Sequence, residues 1–118
     1  MNRYLQVFTT TDTRQAAERL ARALVDSRLA GCVQIIGPIA SIYRWKGKVE
    51  RAREWLCIIK SRSALYRKIE AEIKRLHPYE VPEIIAAPIC EGSSDYLSWL
   101  KDATAARPSA RPRPARRK

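Results

Sequence analysis

The chain contains one histidine and three cysteines, and these are its best candidates for chemistry. His77 stands directly before Pro78-Tyr79, at the end of a stretch with helical spacing. An imidazole or a thiolate can hold a soft or borderline metal, act as a base, or attack a substrate. Cys32, Cys57 and Cys90 are odd in number, widely spaced and lack a Cys-x-x-Cys pair. That pattern argues against a disulfide framework and against a cysteine-only zinc site. Cys57 and Cys90 lie in apolar runs and read as small core residues. Cys32 opens a strand near a helix end, where a thiol has a stronger claim to reactivity. Lys60 closes an apolar run, and its ammonium needs water or a partner there. The strand carrying Glu83 can lie beside it, giving either an ion pair at a sheet end or one wall of a polar pocket. Trp45, Trp55, Trp99, Tyr79 and Tyr96 could form a ligand-binding aromatic cluster or anchor a subunit interface, where tryptophan is enriched. There is no glycine-rich phosphate loop, no motif of paired carboxylates, and no nucleophile beside a base. No catalytic residue is assigned.

The elements that position these side chains follow from periodicity. Residues 3–10 alternate as a short strand. Thr11-Asp12 offers a helix N-cap, with Asp12 to Gln15 resembling a capping box. The helix that follows runs to about Arg28 and gathers Ala17, Leu20, Ala21, Leu24 and Val25 on one face, with Gly31 near its C-terminal end. From Cys32 to Lys60 the chain reads as one long hairpin, turned at Lys46-Gly47-Lys48. Gly37-Pro38 predicts a bulge or bend in its first arm. The unbroken apolar run Trp55 to Ile59 predicts a strand covered on both sides. Ser63 can cap a second helix with Leu65, Ile69, Ile73 and Leu76 in one stripe, and His77-Pro78 stops it. Val81 to Cys90 reads as a strand whose prolines, Pro82 and Pro88, place it at an edge. Gly92 to Asp95 forms a turn and cap before a short helix containing Tyr96, Leu97, Trp99 and Leu100.

The order is β-α-β-β-α-β with an extra C-terminal helix: an α+β, ferredoxin-like antiparallel sheet with its helices on one face. Each hairpin arm is about a dozen residues, roughly 40 Å when extended. A compact domain of about 100 residues has a radius of gyration near 13 Å. The hairpin is therefore too long for its own domain to cover, and its aromatic tip predicts association with further copies of the chain.

The chain is 118 residues long with a net charge of +11. Of its 23 basic residues, six fall after Ala103, where there is no acid. The 17 others face 12 acids, a net +5 for residues 1–102. The division is thus a folded domain over 1–102 and a basic, Pro/Arg-rich, disordered tail over 103–118. The tail can make weak non-specific contact with nucleic acid or an anionic surface. An RNA-recognition role for the sheet is discounted, because Lys48 to Glu54 lacks the expected aromatics. There is no membrane-length apolar run and no signal-peptide pattern, so the chain reads as cytoplasmic.

Several separated stretches then combine. Ser41-Ile-Tyr-Arg-Trp-Lys-Gly-Lys48, Lys60, His77-Pro-Tyr-Glu-Val-Pro-Glu-Ile84 and Tyr96-Leu-Ser-Trp-Leu100 together resemble the CutA divalent-cation tolerance family over residues 3–102. The resemblance implies a tight homotrimer of ferredoxin-like protomers, similar to the PII signalling proteins. It also implies a link to metal-ion tolerance, with copper or another divalent ion as the proposed cofactor, and no established reaction. The ligand pocket it implies lies between subunits and is lined by Cys32, Trp45, Lys60, Tyr79, Glu83, Tyr96 and Trp99. Copper binding in bacterial members is attributed to a cysteine late in the first strand and to a His-His pair before Pro-Tyr. Here those positions hold Phe8 and Leu76-His77, so only His77 remains as a metal ligand. Two other roles stay open: an interaction scaffold that recruits a partner, and an enzyme using Cys32 or His77.

Overall fold

The chain runs β1 (Tyr4–Thr11), α1 (Arg14–Asp26), β2 (Cys32–Trp45), β3 (Lys48–Arg62), a 3-10 turn (Ser63–Leu65), α2 (Tyr66–Leu76), β4 (Ile85–Pro88) and α3 (Ser94–Ala103). The structure is a computed structural model and describes residues 3–106. The four strands form one antiparallel sheet in the order β2-β3-β1-β4. This is the expected ferredoxin-like α+β arrangement.

Alternation along the strands decides what each face does. Leu5 and Val7 of β1 and Cys57 and Ile59 of β3 point toward the helices. They form the core with Ala17, Leu20 and Leu24 of α1 and Ile69 and Ile73 of α2. Val33 and Ile35 of β2 pack against the same core. Their neighbours face the other way, and no helix among the described residues lies across the centre of that face. Its rows are set by register: Cys32, Lys60, Gln6 and Ala87, then Gln34, Ile58, Phe8 and Ile85.

Within one chain the run Trp55 to Ile59 is covered on one side only. Cys57 and Ile59 are fully buried, while Leu56 and Ile58 are only half-buried on the open face. An unbroken apolar run gives no sign of which half its own chain will cover. The reading of Cys90 as a core residue is corrected: it lies beyond the end of β4 and is exposed.

Local chemistry explains the element ends. Thr13, not Asp12, caps α1: its hydroxyl accepts the Ala16 N–H at 3.0 Å. The helix stops at Asp26, and Arg28 takes the left-handed conformation (φ 63°) near where a glycine was expected to do so. Gly31 serves close approach instead. A Cβ there would lie 2.5 Å from Leu100 Cδ1, so its absence admits α3. Val25 falls at the edge of the α1 face and is 40% exposed. Ser63 begins a 3-10 turn and does not cap α2. β4 keeps only four residues and is an edge strand, as its prolines require.

The hairpin turns at Lys46 and Gly47, both with positive φ (51° and 81°), the combination of a type I′ turn. The Gly37-Pro38 prediction holds, since the β2–β3 register shifts between Ile36 and Ile39. At the C-terminal end, ordered chain continues past residue 102. Thr104 is buried, and Arg62 reaches its hydroxyl and carbonyl, each at 2.8 Å. Arg28 Nε donates to the Ala105 carbonyl at 2.9 Å. Residues 103–106 thus belong to the fold, and the tail over 107–118 lies outside the described residues.

Candidate functional site at the base of the hairpin

The sequence-predicted residues divide into two groups. Cys32 and Lys60 are direct cross-strand partners, and Gln6 flanks Lys60 on the other side. Alternation puts all three on the open face. Lys60 Nζ donates to Gln34 Oε1 at 2.8 Å, so its charge stays accessible while its direction is fixed. α3 closes the end of this row. Ser93 caps it by accepting the Tyr96 N–H at 3.2 Å. Tyr96 then shares a shallow cavity of about 230 Å³ with Gln6, Lys60, Ile89, Glu91 and Leu97. Burial pushes the Tyr96 phenol above its ordinary pKa, and the nearby Cys32 acts in the same direction. Trp99 packs against Tyr96 with ring centroids 5.5 Å apart and the rings tilted by 37°. The cavity offers one ammonium, one carboxylate from Glu91, the Gln6 carboxamide and a protonated phenol, a mixed set suited to a small polar ligand. Gln6 and Gln34 were missed as site residues. The only signal was a single polar residue interrupting each apolar strand.

The second group lies elsewhere. Trp45 is at the hairpin turn, half-exposed, with Lys46 Nζ 5.6 Å from its ring centroid. From its partner Lys48 to Lys60 is twelve residues of β3, roughly 40 Å. The expected neighbourhood of Glu83 and Lys60 is corrected as well. β1 separates β3 from β4, and Glu83 precedes β4 by two residues. Lys60 is level with Ala87, so Glu83 lies roughly 13 Å further along and is exposed. Tyr79 donates to Glu54 on the outer part of β3 at 2.7 Å. Burial first, and then the Glu54 carboxylate, hold the Tyr79 phenol well above its usual pKa. One chain therefore does not bring Trp45, Tyr79 and Glu83 to Cys32 and Lys60.

His77 has both ring nitrogens engaged. Nε2 is 2.6 Å from the Thr10 carbonyl oxygen, and Nδ1 accepts the Tyr79 N–H at 3.1 Å. Phe8 sits opposite Ile58 on the open face, and Leu76 packs against the core. Among the described residues, no three His, Cys, Asp or Glu side chains converge to hold a metal ion. The copper set implied by the resemblance does not fit a single chain.

The fold and its base cluster define the class first: a ferredoxin-like α+β sandwich with a protruding hairpin and a polar cleft at the hairpin's root. Comparison with known proteins gives the family. The family model described as CutA1 divalent ion tolerance protein matches residues 5–103, and the chain belongs to that family. The divalent-cation tolerance protein CutA of Thermus thermophilus is 44% identical over 98 residues, covering 83% of this chain and 95% of that one. Human protein CutA is 43% identical over 97 residues, covering 82% of this chain and 54% of the human protein. This chain thus spans about half the length of that relative. Among solved structures, the Thermus thermophilus protein superposes with a TM-score of 0.84 at 42% identity, covering 86% of this chain and 99% of that chain. CutA1 from Shewanella sp. SIB1 gives 0.86 at 41% identity, covering 89% and 98%. The family is named for tolerance of divalent ions and not for a reaction. No helix among the described residues is long and apolar enough to cross a membrane.

Proposed function

We propose that the protein acts as a homotrimer in divalent metal-ion tolerance or response, and that its ligand binds in clefts between subunits. The observation that carries this reading is the split site. Lys60, Cys32 and Tyr96 form a polar cluster at the root of the hairpin, while Trp45 of the same chain stands roughly 40 Å away at its tip. A hairpin supplied by another copy would bring the tip aromatics, with Tyr79 and Glu83, to that cluster. The apolar surface along the way supports the same reading. Ile36, Ile42, Val49, Val81 and Ile85 are each about half exposed or more, a cost to a chain that stays alone.

For the cleft's occupant, the Lys60 ammonium, held by Gln34 and set beside Gln6, the Tyr96 phenol and the Glu91 carboxylate, favours a small polar ligand whose anionic group meets Lys60. A divalent ion such as copper would need donors from more than one subunit. The test is a mass measurement by light scattering combined with calorimetric titration. Trimer mass is expected at micromolar protein. Lys60→Met is expected to keep that mass and abolish anion uptake. A folded species of 13.5 kDa would overturn the assembly. A trimer whose anion isotherm ignores Lys60→Met would overturn the site.

A further inference from the structure

Residues 77–84, between α2 and β4, form no helix or strand, yet their side chains reach two other elements. The first contact settles a tautomer. A carbonyl oxygen only accepts and a backbone N–H only donates. His77 Nε2, at 2.6 Å from the Thr10 oxygen, must therefore carry the proton, and Nδ1, facing the Tyr79 N–H at 3.1 Å, must present its lone pair. The imidazole is neutral and Nε2-protonated, and it joins the end of α2 to β1. The second contact reaches the hairpin. Tyr79 Oη donates to Glu54 Oε2 at 2.7 Å. Glu54 pairs with Ile39, where the β2–β3 ladder resumes after its register shift, and it is only 6% exposed. A third contact, Glu80 to Lys46 at 3.9 Å, joins two well-solvated side chains and ties little.

The two strong contacts fall on either side of the shifted register. One end holds the body of the sheet at Thr10 and the other holds the outer hairpin at Glu54. A ladder interrupted at Ile36 and Ile39 is the natural place for the outer hairpin to swing. We propose that residues 77–84 are a strap that sets the direction of the outer hairpin against the sheet, with His77 as its anchor and Tyr79 as its clasp. His77 is then a positioning residue and not a metal ligand. A metal on either ring nitrogen would leave the Thr10 carbonyl or the Tyr79 N–H without its partner. The proposal rests on the assembly reading in one respect only: a fixed hairpin matters most where another copy must receive it.

The experiment uses the full chain and three readouts. Long-range ¹⁵N–¹H spectra of the imidazole are expected to show the Nε2–H tautomer, unchanged by one equivalent of zinc(II). Amide exchange is expected to rise at least tenfold over residues 39–54 in Tyr79→Phe, with residues 56–60 unchanged. His77→Ala is expected to give the same pattern, and His77→Gln, which keeps a donor toward Thr10, to restore part of the protection. An Nδ1–H tautomer, ring shifts that follow zinc(II), or unchanged exchange over 39–54 in Tyr79→Phe would each overturn the strap. The mass, measured on the same samples, is read separately. A single-chain mass with the expected exchange pattern sinks the assembly and keeps the strap. An intact trimer with wild-type exchange sinks the strap alone.

Discussion

Cys57 shows how burial governs a single residue. It is fully buried opposite Thr9 and packs against the α1–α2 core. Burial pushes its thiol from 9.0 up to about 11. Below pH 9 the thiol is protonated in both the folded and unfolded chain, so it adds no pH dependence. Above pH 9 the unfolded thiol loses its proton while the folded one keeps it, so stability falls as pH rises from 9 toward 11. The loss reaches at most about 3 kcal/mol, from two units at about 1.4 kcal/mol each. Cys57→Ala is expected to remove that slope and to lower stability by about 1 kcal/mol at pH 7 through the small void it leaves. Urea midpoints between pH 7 and 10.5 check both parts, and parallel slopes for the two proteins would contradict the assignment. In the same experiment a thiol reagent at pH 7.5 should label exposed Cys90 in the folded chain and Cys57 only in urea. Residue-scale chemistry was partly legible in the sequence. The apolar run around Cys57 announced a buried thiol, but a similar run failed for Cys90, because β4 ends at Pro88 and leaves Cys90 beyond the sheet. The hydrogen bond of His77 to Thr10 had no local signal, since that partner is 67 residues away in sequence.

At the scale of elements, the hairpin and α3 depend on a few backbone and charge features. Gly47 takes φ 81°, with nothing within 4 Å of where a Cβ would sit, so a substitution there tests conformation without a clash. Gly47→Val should cost about 1–2 kcal/mol and Gly47→Asn much less, since asparagine tolerates the left-handed region. Equal losses in thermal unfolding would argue against the type I′ turn. The turn was readable because Lys-Gly-Lys sits between two β-rich arms. The end of α3 was not readable. Pro, Ala and Arg enrichment from Ala103 suggested that order stops at 102, yet Arg28 and Arg62 reach across from α1's end and β3 to hold 102–105. Contacts over 42 to 77 residues leave no trace in local composition. Arg62→Met should remove both bonds to Thr104 and cost about 1–3 kcal/mol, with faster amide exchange confined to residues 102–105. The α1 cap shows the same limit at short range. Thr11, Asp12 and Thr13 all suit an N-cap, and only the geometry selects Thr13.

At the scale of the whole molecule, shape and surface both bear on the assembly. The described residues extend 52 × 29 × 23 Å with a radius of gyration of 15.5 Å, against the roughly 13 Å of a compact domain this size. The excess is the hairpin, and the length of that hairpin was plain in the sequence. Its covering was not, because a single chain shows only that the centre of one sheet face has no helix over it among the described residues. Ile42 isolates the question. It is 69% exposed in the single chain, so replacing it with lysine should change the stability of a lone protomer by less than about 0.5 kcal/mol. In an assembly that buries the outer hairpin, the same lysine would bring an unpaired ammonium into an apolar contact, at a cost of several kcal/mol per copy. If the proposed trimer forms, Ile42→Lys is therefore expected to lower the light-scattering mass from three chains toward one, or to lower the melting temperature by more than 10 °C if protomers do not survive alone. Ile42→Val should do neither. Were the lysine variant to keep both the mass and the melting temperature of the native protein, the outer hairpin would be solvated in the working molecule. The base cluster at Lys60 would then have to bind its ligand with the walls of one chain alone.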